Sequence, residues 1–182
     1  MAAAGPGVVP CRTGCTACCH GPFDISAADA RLVAEAVTAL PADQASAVHR
    51  RAIAQLELGH AAAPAWRAPW RAGETDEAAF DAMCDALERD PCPVLDPDSG
   101  ACLVHEARPA TCRLMGLGAL TPDGDLLENL CPIQDRFPGY AALAPTPLDL
   151  MAFEVAAAEE DLAAMAAGWH ATTVAGAVGR ER

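Results

Sequence analysis

The chain has no lysine. All 12 of its basic residues are arginine and 25 residues are acidic, so the formal net charge is −13 at pH 7. A nucleic-acid partner requires clustered positive charge that neutralises phosphates, and the sequence shows no such cluster. We therefore expect no nucleic acid among the partners of this protein.

Long apolar runs are also absent. No stretch approaches the roughly 20 apolar residues that a membrane-spanning helix needs. Residues 1–6, Met-Ala-Ala-Ala-Gly-Pro, contain neither the basic region nor the apolar region of an export signal. We expect a protein that does not engage a membrane and that stays in the cytoplasm.

Aromatic residues are scarce, at 4% of the chain, whereas 52% of its residues are hydrophobic and alanine supplies much of that fraction. Because alanine is the best helix former, this composition predicts a mainly α fold. The length of 182 residues suits one domain. We expect a flexible N-terminus over 1–10, a single cysteine-cluster domain over 11–168 and a frayed tail over 169–182.

Four helices are predicted from their start signals. The first begins at Ser26, the second at Pro41, the third after Thr75 and the last at Thr146, which precedes a proline. Apolar spacing places the following residues on the inner face of the last helix: Leu148, Met151, Ala152, Val155, Leu162, Met165 and Trp169.

Two tryptophans lie in a proline-rich loop between the second and third helices. Trp66 and Trp70 are four residues apart, and each is followed by arginine. They mark either a surface for a protein partner or a loop that covers the core. The core interpretation is favoured, because large aromatic side chains contribute most when buried.

The chain is rich in cysteine: it has nine, and eight of them fall into two groups. The first group is Cys11, Cys15, Cys18 and Cys19; the second is Cys92, Cys102, Cys112 and Cys131. A reducing compartment disfavours structural disulfides, so the cysteines indicate metal binding or redox work. Residues 90–139 are otherwise irregular, and bound metal would supply the folding free energy that such a stretch lacks. The expected architecture is a small helical scaffold around a metal-stapled region.

The spacing between Cys15 and Cys18 lets two sulfur atoms reach one ion across a tight turn, for which Gly14 gives backbone freedom. Zinc and iron–sulfur centres each take about four such ligands. The predicted ligands are therefore numerous enough for two ions or a polynuclear centre: Cys15, Cys18, Cys19, Cys92, Cys102, Cys112 and Cys131, together with Cys11. The pattern does not distinguish zinc from iron or from an iron–sulfur cluster.

Other interpretations of the cysteines are less favoured. Disulfide bonds are disfavoured without an export signal, and catalytic thiol–disulfide exchange is disfavoured because no strand precedes the Cys-x-x-Cys turn. A buried, inert thiol is the favoured interpretation for Cys84 alone, since it lies in the apolar stripe of the third helix.

Arginines and histidines flank the thiols. We expect Arg108 and Arg113, and also Arg12, to stabilise the negative charge of thiolates from outside the ligand set. His20 and His105 are alternative nitrogen ligands or surface groups.

The motifs Cys15-Thr-Ala-Cys18-Cys19, Cys92-Pro-Val-Leu, Cys102 to Pro109, Cys112-Arg113 and Cys131-Pro132 resemble those of a bacterial cysteine-cluster family, the YkgJ-like or CxxCxxCC domain. The resemblance implies a zinc- or iron-chelating domain, often described as an iron–sulfur oxidoreductase. Some relatives are linked to lysine methylation of flagellin, but no methyl-donor loop is seen here. Three residues separate Cys11 from Cys15, where the family has two.

Three functions follow as hypotheses. The first is a metal-binding protein of unknown specific activity. The second is an iron–sulfur oxidoreductase or group-transfer enzyme. The third is a non-enzymatic interaction module with a structural metal, whose contact is the loop of Trp66 and Trp70. The sequence shows no general base or substrate pocket that would favour the enzyme, and no protein partner is identified.

Overall fold

A computed structural model describes residues 14–116, 118–127 and 131–180. Cys11, Arg12 and the segment 1–10 lie outside this range. The fold is mainly α, as predicted. Its helices are α1 (Ala27–Thr38), α2 (Ala42–Ala62), α3 (Glu77–Ala86), α4 (Ala110–Leu114), α5 (Pro138–Ala141), α6 (Leu150–Ala166) and α7 (Val174–Val178).

Three two-residue strands form one small sheet in the order β2-β1-β3. They are β1 (Ala119–Leu120), β2 (Leu126–Leu127) and β3 (Thr146–Pro147). β1 pairs antiparallel with β2, with Ala119 opposite Leu127, and parallel with β3, with Ala119 opposite Thr146.

Helix α1 begins where its sequence signal places it. The Ser26 hydroxyl accepts a hydrogen bond from the backbone N–H of Asp29 at 3.2 Å and so satisfies one of the free amides of the first turn. Val33 and Val37 face inward from this helix. Around them lies the first core cluster: Ile25, Ala30, Val33, Val37, Val48, Val94, Val104, Val174 and Ala177.

The second core cluster lies between α2 and α3. Its buried members are Ala52, Leu56, Ala63, Trp66, Met83, Leu87 and Ala175. Trp66 is 1% exposed and packs edge-on against Phe80, with their ring centroids 5.4 Å apart. The loop therefore covers the core at Trp66, which is the interpretation that the sequence favoured. Trp66 is unavailable to a partner.

Helix α3 starts one residue later than predicted. Asp76, not Thr75, is the N-cap, and its carboxylate accepts the N–H of Ala79 at 3.2 Å. The Thr75 hydroxyl instead donates to the carbonyl of Arg71 at 3.0 Å. An aspartate beside a threonine competes for the same capping role, and here the carboxylate takes it.

The prediction for the last helix was wrong in its start and in its inner face. Thr146 and Pro147 form β3, and Asp149 caps α6 by accepting the N–H of Ala152 at 2.9 Å. Met151 and Leu162, predicted to be buried, are 74% and 66% exposed. Val155 and Met165, also predicted to be buried, are exposed.

The opposite side of α6 packs on α1. There the Asp161 carboxylate accepts the N–H of Ala28 at 2.9 Å, and the fully buried Ala164 permits close approach. The alanine-rich sequence of α6 gives little directional pattern, so these two contacts set the orientation of the helix. Its long apolar side chains face away as a result.

The predicted frayed tail is also corrected over residues 169–180. The backbones of Ile25 and Thr172 exchange hydrogen bonds of 2.6 and 3.0 Å, and Thr173 caps α7. Helix α7 then packs against α1 and α2. Its small residues make a weak apolar signal in sequence, yet Ala175 is 1% exposed because small side chains pack closely.

Within the part of the chain that the structure describes, no helix combines the length and the apolar character needed to cross a membrane.

Candidate metal centre

Backbone hydrogen bonds bring the two groups of cysteines together. The N–H of Cys92 donates to the carbonyl of Cys19 at 3.0 Å, and the N–H of Gly21 donates to the carbonyl of Asp90 at 2.8 Å. The segment after Cys18 therefore runs beside the segment that carries Cys92, although about seventy residues separate them in sequence.

A third segment extends this ladder. Leu95 and Cys102 are bridged antiparallel, and the N–H of Leu103 donates to the carbonyl of Val94 at 2.9 Å. The turn between them is closed by Asp96, whose N–H donates to the carbonyl of Ala101 at 2.8 Å. Cys92 and Cys102 are thereby held on adjacent segments.

The loop of Cys15 lies on that same turn. Gly100 has a φ of 67°, and a Cβ at this position would come within 3.2 Å of the Thr16 side chain and 3.3 Å of the Gly14 Cα. Glycine is required at residue 100 both for its backbone conformation and for this close approach. The turn thus carries the N-terminal cysteine loop.

Cys112 is placed by α4. This helix has no cap from its own sequence, since Pro109 precedes it. The carboxylate of Asp29, on α1, accepts the N–H of Ala110 at 3.0 Å and caps α4 from a distance of 81 residues in sequence. The cap fixes the start of the short helix that carries Cys112.

Helix α2 supports the Cys92 segment from the other side. Arg51 Nε donates to the carbonyl of Pro93 at 2.9 Å, and Gln55 Nε2 donates to the Asp90 carboxylate at 2.7 Å. The Nη2 atom of Arg51 is buried and has no hydrogen-bond partner among the described residues.

Sequence reasoning missed both side chains. Gln55, 5% exposed, carries the detectable signal, because it interrupts the buried side of α2 between Ala52 and Gly59 with a polar group. Arg51 shows no pattern that separates it from a surface arginine.

The thiols influence one another. The Cys19 thiol hydrogen-bonds to the Cys18 sulfur, and this bond lowers the pKa of Cys18 to about 6 even though burial opposes the shift. The same hydrogen bond, with burial and the negative charge of neighbouring thiolates, raises the pKa of Cys19. The pair therefore holds one proton between two sulfur atoms.

The second group responds mainly to burial. Burial raises the pKa of Cys92 to about 11 and that of Cys112 to about 12, and nearby thiolates push both further in the same direction. The pKa of Cys102 is also raised, chiefly by burial. Metal-free, these groups carry their protons at neutral pH.

Fixed donors oppose these shifts. The N–H groups of Val94 and Val104, each two residues after a cysteine, hydrogen-bond to the Cys92 and Cys102 sulfur atoms and favour their thiolates. The Arg108 guanidinium lowers the pKa of Cys18, Cys102 and Cys112 alike. Arg108 was predicted to lie close to the thiols, and its charge acts on three of them.

Arg113 holds the surrounding loop. It donates from Nε to the carbonyl of Arg108 at 2.7 Å and from Nη2 to the carbonyl of Glu106 at 2.8 Å. His20 and His105 are exposed. The charge of His20 acts on Cys18, whereas the carbonyl of His105 accepts a bond from Arg108.

Five of the predicted ligands thus interact with one another: Cys18, Cys19, Cys92, Cys102 and Cys112. Cys15 lies in the adjoining loop, and Cys131 is buried. Cys84 packs against the second core cluster, where the sequence placed it. Burial raises its pKa to about 11.

The donor set fits a soft cation in its chemistry, because sulfur dominates it and backbone N–H groups already favour the thiolates. In its present geometry, no three His, Cys, Asp or Glu side chains among residues 14–116, 118–127 and 131–180 stand within reach of one ion. Side-chain rotation about χ1 would be needed to draw the sulfur atoms together.

Comparison with known proteins gives one match. No curated protein and no solved structure matches the chain. A family profile named CxxCxxCC, described as "Putative zinc- or iron-chelating domain", matches residues 10–132, which include all the predicted ligand cysteines. Because that match covers most of the sequence, the chain belongs to the CxxCxxCC family.

Proposed function

We propose that the protein binds zinc or iron through the cysteines of both groups: Cys15, Cys18, Cys19, Cys92, Cys102, Cys112 and Cys131, together with Cys11. The observation that supports this proposal is the hydrogen-bonded ladder in which Cys92 donates its N–H to Cys19. This ladder holds cysteines of the two groups on neighbouring segments, which a metal site shared by both groups requires.

The protonation of the thiols supports the same function. The hydrogen bond from Cys19 favours the thiolate of Cys18 and raises the pKa of Cys19. Burial raises the pKa of Cys92, Cys102 and Cys112, and nearby thiolates raise the pKa of Cys19, Cys92 and Cys112 further, so the cluster resists negative charge beyond that of Cys18. A bound cation would favour deprotonation of these sulfur atoms, and its binding would release their protons. The metal would link the segments that carry the cysteines, so its binding free energy would add to the stability of the fold.

Arg108 is proposed as the residue that balances the remaining negative charge. Its guanidinium already favours the thiolates of Cys18, Cys102 and Cys112. Replacing the outer partners of a metal site commonly lowers metal affinity about 10- to 100-fold. Arg108→Gln should do so here, whereas Arg89→Gln, on an exposed arginine that pairs with Glu88, should leave affinity unchanged.

The direct test is metal analysis of protein purified without oxygen, with Cys112→Ser compared against Cys84→Ser. Both variants make the same chemical change, but Cys84 packs against the second core cluster. We expect stoichiometric zinc or iron in the parent and in Cys84→Ser, and a reduced content in Cys112→Ser. A folded, fully reduced parent without metal would refute the proposal.

The visible spectrum of the same preparation separates the metals. A colourless, metal-loaded protein would identify zinc. Broad visible absorption that bleaches with dithionite would identify an iron–sulfur centre, which the redox-enzyme hypothesis requires.

A further inference from the structure

A large cleft lies apart from the thiols, between the C-terminal part of α1, the N-terminal half of α2 and the segment around α7. Its volume is about 1840 Å³, which exceeds the roughly 300–1,000 Å³ typical of small-molecule sites. Its apolar surface includes Ile53 and Val178. None of the eight cysteines within the described residues lines it.

The charge of this cleft is opposite to that of the whole chain. Among the described residues, Arg50, Arg71 and Arg180 line it with one acid, Glu35, whereas the chain carries a net charge of −13. The Arg71 guanidinium is paired with Glu74 at 2.5 Å. Within the described part of the chain, Arg50 and Arg180 form no ion pair.

Two aromatic side chains form the walls. The Arg180 guanidinium lies 4.6 Å from the ring centroid of Trp169 and donates to the carbonyl of Gly168 at 2.7 Å, so a fixed cation stands beside a flat apolar surface. Trp70 also lines the cleft.

Trp70 is held in an unusual backbone conformation. Its φ is 62°, in the left-handed region that bulky residues rarely adopt. The surrounding structure enforces it: its carbonyl accepts a hydrogen bond from the Thr172 hydroxyl at 2.5 Å, and its ring packs on Trp66 with centroids 5.8 Å apart. Such strain concentrates at sites where a side chain must be presented in a fixed position.

From this combination we propose that the cleft binds an organic anion, a flat apolar body carrying a phosphate or carboxylate group. Arg50 and Arg180 would bind the anionic group through charge-assisted hydrogen bonds. Trp169 and Trp70 would contact the flat body. Phosphate and carboxylate share this chemistry, so the two are distinguished by experiment.

The test uses the purified full chain with its native metal content and the fluorescent anion anilinonaphthalene sulfonate as the probe. We expect Arg50→Ala and Arg180→Ala each to weaken binding roughly tenfold, which corresponds to the loss of one charge-assisted contact. Arg89→Ala removes the same charge from an exposed site outside the cleft and should have no effect. Equal binding by the parent and both cleft variants would overturn the proposal.

Two further arms sharpen the result. Adenosine monophosphate and indole acetate, added as competitors, separate a preference for phosphate from one for carboxylate; equally strong displacement by uncharged adenosine would overturn the proposal. The exposed face of α6 is the alternative location for an apolar probe. Binding that is lost in the double variant Met151→Ser, Leu162→Ser but kept in both arginine variants would place the probe there and overturn the proposal as well.

Discussion

Both the second core cluster and the Cys92 segment contact helix α2, but different interactions attach them to it. In the core cluster, Leu56 and Trp66 are buried among apolar neighbours. By contrast, Arg51 and Gln55 hold the Cys92 segment by hydrogen bonds to backbone and carboxylate oxygens. The first region is stabilised by removing apolar surface from water, and the second by directed bonds.

This difference implies separate responses to perturbation. Val94 and Val104 anchor the cysteine segments in the first core cluster, so the two regions share a boundary. Cys92 and Cys102 pack against that cluster, but nearby thiolates disfavour negative charge on Cys19, Cys92 and Cys112. Core substitutions should therefore lower global stability, whereas metal removal should loosen the cysteine segments locally.

The largest expected effect comes from removing metal by anaerobic chelation. Amide hydrogen exchange at Cys92 and Leu103, whose N–H groups form the ladder, should accelerate at least about 100-fold. Amides in the middle of α2 should keep their protection, because the apolar clusters remain intact. Equal acceleration in both regions would show that they open as one unit, which would contradict their separate stabilisation.

The next effect is that of Leu56→Ala. Leu56 is 2% exposed in the second core cluster, and truncating a buried leucine lowers the free energy of unfolding by about 2–5 kcal/mol. Leu58→Ala, on the same helix at 52% exposure, should change it by less than about 0.5 kcal/mol. Urea unfolding measures both. Metal content per folded molecule should stay unchanged in each; loss of metal in Leu56→Ala would contradict the separation of the two regions.

Helices α1 and α6 show which parts of the fold could be predicted from sequence. The start of α1 depends on Ser26 and the N–H three residues later, a local rule, and it was predicted correctly. The orientation of α6 depends on Asp161 meeting Ala28, 133 residues away. No local pattern contains that contact, so the predicted inner face was wrong.

The candidate site also contains residues that could be predicted from sequence and residues that could not. Cysteine is conspicuous in a chain expected to be reduced, so the thiols could be selected by residue type, and the structure brings five of them together. Ligation itself stays a prediction. Arg51 could not be selected, because an arginine on a helix is ordinary until tertiary structure places Pro93 beside it.

Replacement of Arg51 tests whether helix α2 stabilises the Cys92 segment through its hydrogen bond to Pro93. Arg51→Met keeps the length of the side chain but leaves the Pro93 carbonyl without its charged donor. Unfolding of the metal-loaded protein should become easier by about 1–3 kcal/mol. The neighbouring Arg50→Met is the control, because Arg50 is exposed, and it should shift stability by less than about 0.5 kcal/mol. Equal stability of the two variants would show that the support from α2 contributes little.

The smallest expected effect concerns Asp29, which links α1 to the cysteine segments by capping α4. Burial raises the pKa of this carboxyl above its ordinary value of 3.8; the N–H of Ala110 and the charge of Arg113 oppose the shift, and Asp161 adds to it. As pH rises through 3.8, the unfolded chain releases this proton before the folded protein does. The contribution of Asp29 to unfolding free energy therefore falls across this window and stays lower above the folded pKa.

Asp29→Asn should remove that pH dependence and keep the cap, because the amide oxygen still accepts the N–H of Ala110. The measurement is the difference in unfolding free energy between variant and parent across the acid range, since the other carboxyl groups cancel in that difference. The variant should gain on the parent as pH rises above 3.8. A difference that stays flat, or that falls with rising pH, would mean that the bond to Ala110 outweighs burial, and that Asp29 stabilises the cysteine segments through its charge.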